Sequence, residues 1–333
     1  MANAEARPTL ADVAAHAGVS KSLVSLVMRD EPGAGPETRR RVLKAADQLG
    51  YHPDSRARLL RSGRSRLLGV VFGIQHAFHI DLVTALYTAA RDRGYELALS
   101  AVTPDRDEAE ATAGMLQDRC EALIMCGPRT PAAGLAKLAA RLPVIVLARN
   151  VRVTDVIRTA DDEGLRQAVE YLIGLGHQRI AHIDGGRAPG AADRRRGYRE
   201  AMAAHSLDTH NRIIEGGLSE EDGAAAARRL LDEGDRPTAI TVFNDRSATG
   251  VLDVLTRAGL RVPEDISVVG YDDSHLARLA HINLTTIAQD TAEMTRLAVD
   301  RAIARIDGSE LTNRALIVAP QLIIRGTTAP PAA

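Results

Sequence analysis

The residues best placed to do chemistry sit directly after apolar runs. Arg149 follows PVIVLA, Arg194 lies shortly after RIAHIDGG, Asn244 and Asp245 come after TAITVF, Asp272 after ISVVGY, and Gln289 closes TTIAQ. Arg, Asn, Asp and Gln together supply paired donors and acceptors, the set that holds adjacent hydroxyls of a sugar or polyol. Each has an ordinary structural alternative: a helix cap, a surface ion pair, a residue at a chain crossing. Six such residues at strand ends favour a shared ligand. His76 and His79, three apart, raise the question of a metal; with no further ligand type nearby they read as rim residues of a pocket. No G-x-x-x-x-G-K-[ST] loop, no G-x-S-x-G elbow and no metal-spaced set of His, Cys and Asp occurs, so catalysis, cofactors and metals are not expected. Asp272 and Asp273 are adjacent, so their carboxylates should point apart, with Asp273 capping a short following helix.

Strands and helices must alternate to place these residues. LLGVVFG, YELALSAV, EALIMCG and PVIVLAR are separated by helical segments, two of them at about 80–93 and 105–118. RIAHIDG, RIIEGG, TAITVFN and ISVVGYDD repeat the pattern. Such alternation predicts parallel sheet with helices on both faces, here as two similar lobes. In such sheets ligands sit beyond the carboxyl ends of the strands, where the polar residues fall. LTTIAQD and the helix TAEMTRLAVDRAIARI should return the chain to the first lobe. Crossings are expected near Val153 to Asp161, near Gln289 and after Ile317.

The first 50 residues read differently. Thr9 followed by Asp12 forms a capping signal, and Leu10, Val13, Ala14 and Ala17 then share a helical face. Gly18 supplies a left-handed stop, Val19 plugs the core and Ser20 caps KSLVSLVMR, with Val24 and Val27 inward. That order is helix, tight turn, helix, and it exposes Lys21, Ser22 and Ser25 at the start of the second helix. A third helix starts at Pro36 and stops at Gly50, with Val42, Leu43, Ala46 and Leu49 buried. A purely structural three-helix bundle is the plain alternative. The short turn and the charge favour a DNA-reading helix-turn-helix. The segment YHPDSRARLLRSGRSR is too short to own a core. A plain linker would lack Leu59 and Leu60; a helix that folds on DNA needs Arg for phosphates and an apolar wedge for the minor groove.

Charge divides along the same line. Residues 1–66 carry twelve Lys/Arg against seven Asp/Glu, while the rest of the chain carries 30 against 36. A polyanion that meets only the head accounts for this split. The 333 residues, 45% hydrophobic and 26% charged, with a mean hydropathy of −0.12, suit two or three globular domains. No apolar run is long enough to span a membrane, and no secretory leader opens the chain, so a cytoplasmic location is expected. Cys120 and Cys126 lie in apolar sequence and read as small buried hydrophobes.

TLADVAAHAGVS, ETRRRVLKAADQLGYHP, GLGHQRIAHIDG, FNDRSATG, VPEDISVVGYDDS, LTTIAQD and the late RGT together resemble the lactose-repressor/galactose-repressor (LacI-type) family of bacterial transcription regulators over nearly the whole chain. The resemblance implies a small all-α head and an α/β body of two doubly wound parallel-sheet lobes of periplasmic-binding-protein type. It implies a helix-turn-helix domain at 1–52, a hinge at 53–66, and an effector-binding and dimerising body at 67–325. The first lobe would cover about 67–158 and 291–325 and the second about 162–288, leaving 326–333 as a tail. It further implies a homodimer without an appended tetramer helix, most simply a repressor on a pseudo-palindromic operator.

The DNA-contacting set is then Thr9, Ser20, Lys21, Ser22, Ser25, Leu26, Arg29, Arg56 and Leu60, with Leu60 as the minor-groove wedge. The effector set is Phe78, Arg149, Arg194, Asn244, Asp272 and Gln289, Phe78 packing on a sugar face. This chain departs from the family at Leu23 and Leu26, where many members carry Thr and Arg around the shared Val-Ser. It departs again at Leu218, in place of a second aromatic, and at Ala148, in place of an acidic residue. Operator sequence and effector identity therefore do not transfer. A solute receptor or a sugar-processing enzyme with the same two-lobed body is the alternative; a receptor would need a leader and no basic head.

Overall fold

The computed structural model describes residues 8–28, 30–51, 64–234 and 236–332. The chain divides at Ser65/Arg66 into two compact units. In the first, α1 (Leu10–Ala17), α2 (Lys21–Met28) and α3 (Pro36–Gln48) enclose a core of Val13, Ala14, Ala17, Val24, Val27, Val42, Ala45 and Ala46. The chain bends by 105° between α1 and α2, within the range of helix-turn-helix units. Local chemistry sets the bend. Thr9 and Asp12 form a capping box, and Gly18 adopts φ 62° while its amide donates to the carbonyls of Ala14 and Ala15. A side chain at that φ would be strained. Leu43 is a correction to the expected stripe of α3: it is 47% exposed, and Ala45 is buried instead.

The second unit holds two six-stranded sheets. The first comprises β1 (Leu67–Gly73), β2 (Glu96–Val102), β3 (Ala122–Cys126), β4 (Val144–Leu147), β5 (Asp155–Thr159) and β11 (Ala315–Val318), in the order β11-β5-β4-β3-β1-β2, all parallel. The second comprises β6 (Ile180–Asp184), β7 (Arg212–Glu215), β8 (Ala239–Val242), β9 (Ser267–Asp272), β10 (Thr285–Ala288) and β12 (Gln321–Ile323), in the order β12-β10-β9-β8-β6-β7, with only β12 antiparallel. Both faces of the central strands are covered, which is why β1, β3, β4, β6, β8 and β9 are buried along nearly their whole length. In β1, Leu68, Val70 and Phe72 meet α4 (Ala77–Arg91) and α11 (Thr291–Ile306) on one side. Leu67 and Val71 meet Met115 of α5 (Glu108–Gln117) and Leu135 of α6 (Ala132–Ala139) on the other. The second sheet is sandwiched in the same way between α7 (Asp161–Gly174) and α8 (Ala191–Ala204) on one face, and α9 (Glu220–Asp232) and α10 (Asp245–Arg257) on the other.

The chain crosses between lobes after Thr159, after Ala288 and after Val318. The last crossing moves the expected lobe boundary from 325 to about 320, because β12 pairs with β10 of the second sheet. The expected tail is also corrected. Thr327 is buried and its hydroxyl donates to the Val268 carbonyl at 2.7 Å, while the Ala329 carbonyl accepts from His177 Nε2 at 2.8 Å. Residues 326–329 are thus stitched into the second lobe. Cys120 and Cys126 are buried free thiols, and burial pushes Cys126 up to about 12. Among the described residues no single helix is long and apolar enough to cross a membrane.

Candidate functional site

Both sheets reverse their strand order in the same place. The break falls between β1 and β3 in the first and between β6 and β8 in the second, and a crevice opens at each such switch point. The loops after these four strands line one interlobe cavity of about 490 Å³. The first lobe contributes Gln75 to His79 and the loop at Gly127 and Arg129; the second contributes Gly185, the loop from Arg187 to Pro189, Arg194, Phe243, Asn244 and Arg246. Gly185 is required there: a Cβ would stand 2.4 Å from the ring of Phe243. Gly127, with φ 50°, makes room for His79 of its own lobe, whose Nε2 would lie 2.8 Å from a Cβ there, and it faces Pro189 of the second lobe, whose Cγ would be in ordinary contact at 3.6 Å.

Arg194 forms the floor. It is 5% exposed, its guanidinium lies between the rings of Tyr271 (3.4 Å) and Phe243 (4.4 Å), and its Nε donates to Asp161 Oδ1 at 2.9 Å. Its Nη1 donates to the Phe243 carbonyl, and Asp272 stands 3.9 Å from its Nη2. Burial works against this charge, yet the carboxylate of Asp161, with that of Asp272, holds the guanidinium above its ordinary pKa. Gln289 links the floor to a crossing strand: its Nε2 donates to Asp272 Oδ1 at 2.8 Å and its Oε1 accepts from Thr159 at 2.7 Å. Burial raises the Asp272 pKa, and the Arg194 cation opposes that rise.

The structure brings together Phe78, Arg194, Asn244, Asp272 and Gln289 of the expected effector set. Arg149 is a correction. The backbone turns at Ala148, with φ 57°, so Ala148 lines the cavity while the Arg149 guanidinium donates to the carbonyls of Pro128 (2.6 Å) and Thr130 (2.7 Å). Asn244 is also engaged: its Oδ1 caps α10 by accepting from Ser247 N at 2.7 Å, and its Nδ2 donates to Leu218 O at 3.2 Å. Asp245 lies beneath the cleft, fully buried and bonded to Thr286 Oγ1 and Ser274 N.

Asp273 does point away from Asp272, toward Arg278 and Arg325, but it caps no helix; it takes φ 50° just ahead of a turn. His79 is a buried wall and not a rim residue, its Nδ1 accepting from Gly73 N at 3.1 Å, and burial followed by the neighbouring His76 lowers its pKa to about 3. Asp161 and Tyr271 escaped the sequence reading. Asp161 obeys the strand-end rule after β5 and was findable; Tyr271 is indistinguishable from a core aromatic inside ISVVGY.

In the first unit, Lys21 and Ser22 are exposed at the N-terminus of α2, whose first turn holds no acidic residue. The positive end of that helix is therefore open to a phosphate. Thr9 and Ser20 act as caps: the Thr9 hydroxyl donates to Asp12 Oδ2 at 2.6 Å, and Ser20 Oγ accepts from Leu23 N at 3.2 Å. Ser25 and Leu26 are half-buried, Leu26 facing the turn at Gly33. Arg29, Arg56, Leu60 and most of the expected hinge lie outside the described residues.

Comparison with known proteins places these features in context. The sequence model for bacterial regulatory proteins of the lacI family matches residues 9–54, and that for the periplasmic binding protein-like domain matches residues 169–328. The transcriptional regulator GalR of Escherichia coli (strain K12) is 31% identical over 330 residues, covering 97% of this chain and 96% of GalR. A crystal structure of a LacI transcriptional regulator from a Rhodococcus species is 48% identical, covers 80% of this chain and all of its own, and superposes with a TM-score of 0.78. The lac repressor dimer bound to operator and the anti-inducer ONPF is 31% identical, covers 97% of this chain and all of its own, and gives a TM-score of 0.83.

Proposed function

We propose, from the premise that this chain belongs to the lacI family of bacterial regulatory proteins, that its two units hold complementary roles, in which the head reads operator DNA and the cleft reports the presence of a small molecule. The protein is a DNA-binding transcriptional regulator and not an enzyme, and it acts as a repressor on a pseudo-palindromic site as a homodimer. The observation that carries this reading is the coexistence in one chain of an open-ended α2 and a cleft assembled from the switch points of two sheets.

Lys21 and Ser22 are the base or phosphate contacts at the start of α2, with Ser25 and Leu26 one turn further along the same helix. Thr9 and Ser20 hold the helix ends in place. Arg29, Arg56 and the wedge Leu60 complete the interface by resemblance to the family. Dimer formation is supported by an apolar face on the first lobe, where Ile80 and Tyr87, two turns apart on α4, are 43% and 50% exposed. The effector is a sugar or polyol whose hydroxyls meet Arg194, Asp272, Asn244 and Gln289, with Phe78 as the apolar wall. An effector that prefers one lobe arrangement shifts the dimer toward it and so changes how both heads meet DNA. A protein that reads chromosomal DNA works in the cytoplasm.

Electrophoretic mobility shift with promoter DNA from the protein's own genomic neighbourhood tests the division. Deleting residues 1–62 should abolish the shift and leave ligand-induced thermal stabilisation of the body unchanged. A truncated chain that still shifts the promoter fragment overturns the assignment of the head.

A further inference from the structure

Not every cation that lines the cleft is paired among the described residues. Arg194 is matched by Asp161 and Asp272. Arg246 donates through Nε to Glu220 at 2.6 Å and through Nη1 to the Gln75 carbonyl at 2.6 Å. Asp222 is engaged as well, its Oδ2 accepting from the amides of Leu218 and Ser219 at 3.0 Å. Two guanidiniums remain. Arg129, after β3, and Arg187, after β6, both line the cavity and are exposed, and the side chain of neither has a hydrogen-bond or ion-pair partner among the described residues. They belong to opposite lobes, on loops that meet where Gly127 faces Pro189. The Arg129 loop is fixed from below by Glu108, which accepts from the Thr130 amide at 2.7 Å and the Thr130 hydroxyl at 2.6 Å. Burial lowers the His76 pKa, and Arg129 and Arg246 lower it further, so this end of the cavity carries a positive field.

We propose that the effector of this cleft carries an anionic group, a phosphate ester or a carboxylate, which bridges Arg129 of the first lobe and Arg187 of the second. The proposal deepens the effector reading above and rests on it. Guanidinium matches both groups with paired, charge-assisted hydrogen bonds. The coupling follows from electrostatics: two unmatched cations on facing loops repel and resist closure, and an anion between them reverses the sign. A charged effector therefore favours the closed arrangement more than its neutral parent does, which is the differential affinity a switch requires.

The test uses the full chain and matched probes in thermal shift and isothermal titration, with ionic strength equalised by sodium chloride: ribose, glucose and galactose; ribose 5-phosphate, glucose 6-phosphate and galactose 1-phosphate; gluconate, glucuronate and galacturonate. At least one anionic probe is expected to bind at least tenfold more tightly than its neutral parent, and the phosphate and carboxylate arms identify the group. Arg129→Gln together with Arg187→Gln, both at exposed positions, should reduce that binding at least tenfold and leave unliganded melting unchanged. A panel in which no anionic probe binds above its neutral parent overturns the proposal, as does anionic binding that the double variant retains.

Ala188→Trp, which puts an indole into the cavity from a half-exposed loop, separates this proposal from the reading beneath it. A neutral sugar that binds wild type and the double variant alike but not A188W, with no anionic probe binding more tightly than its neutral parent, overturns the anion and keeps the cleft. Binding of any probe that survives A188W counts against both.

Discussion

Arg194 carries its charge where almost no water reaches, held by two aromatic faces, a carbonyl and two carboxylates. Removing it leaves Asp161 and Asp272 buried without their cation, the situation in which loss of one partner costs about 3–5 kcal/mol. Arg194→Leu should therefore lower the urea midpoint of the body and abolish effector binding together. Normal folding stability with lost binding would mean that the pair is not structural. Two buried imidazoles give a separate, pH-dependent signature. Burial, then His76, lowers His79 to about 3; burial, then Arg194, lowers His182 to about 3. Between those values and 6.5 the unfolded chain binds protons that the folded chain refuses, so stability is full above 6.5 and falls as pH drops, by up to about 1.4 kcal/mol per pH unit for each histidine. His182→Phe, measured by urea denaturation from pH 7.5 to 5, should flatten the slope by one histidine's share; an unchanged slope overturns the assignment. At this scale the sequence was legible for most polar residues that follow a strand, and it failed where burial or a backbone turn decided the role: Asp161 and Tyr271 were missed, His79 is wall and not rim, and Asp273 caps no helix. Arg149 obeyed the rule by position, but the left-handed Ala148 redirected its side chain, and no periodicity encodes that turn.

The elements were legible where both faces of a strand are buried, because LLGVVFG and EALIMC have no solvent face to alternate toward. They were less legible where a choice depended on one neighbour. Leu43 looked like core by helical spacing, yet the head is too small to bury it, and Ala45 fits the crossing with α1 and α2. The antiparallel β12 and the stitched segment at 326–329 are joined by backbone and threonine hydrogen bonds that leave no apolar pattern. Close helix packing yields a prediction at this scale. A Cβ on Gly250 of α10 would stand 1.9 Å from the Glu220 carbonyl at the start of α9, whereas one on Gly174, ending α7, meets nothing within 4 Å. Gly250→Ala should cost roughly 3 kcal/mol by forcing the helices apart. Gly174→Ala should be neutral or stabilising by about 0.5–1 kcal/mol. Equal denaturation midpoints for the two variants would refute the packing account. In the head, Thr9→Ala removes the α1 cap, for a loss of about 1 kcal/mol that should appear as weaker operator binding at elevated temperature.

At the scale of the whole molecule, the proposed function couples effector to operator through the equilibrium between lobe arrangements, and Arg246 spans the two lobes. Its Nε is held within the second lobe by Glu220, while its Nη1 reaches across to the Gln75 carbonyl of the first. Opening the lobes breaks the second bond and keeps the first, so Arg246 favours the arrangement seen here by the worth of one charge-assisted hydrogen bond, about 1.5–3 kcal/mol. Arg246→Ala should therefore shift the lobe equilibrium by at least tenfold. Because Arg246 also lines the cavity, a change in effector affinity alone is ambiguous; operator affinity measured without effector is not. If operator and effector favour the same arrangement, both affinities fall together and the effector is a corepressor. If they favour opposite arrangements, effector affinity falls while apo operator affinity rises, and the effector is an inducer. Linkage adds a second check, since saturating operator must change effector affinity by the same factor that saturating effector changes operator affinity. Fluorescence anisotropy of labelled operator, with wild type and R246A, measures both. An apo operator affinity that R246A leaves within twofold of wild type would mean that lobe closure does not reach the DNA-reading head.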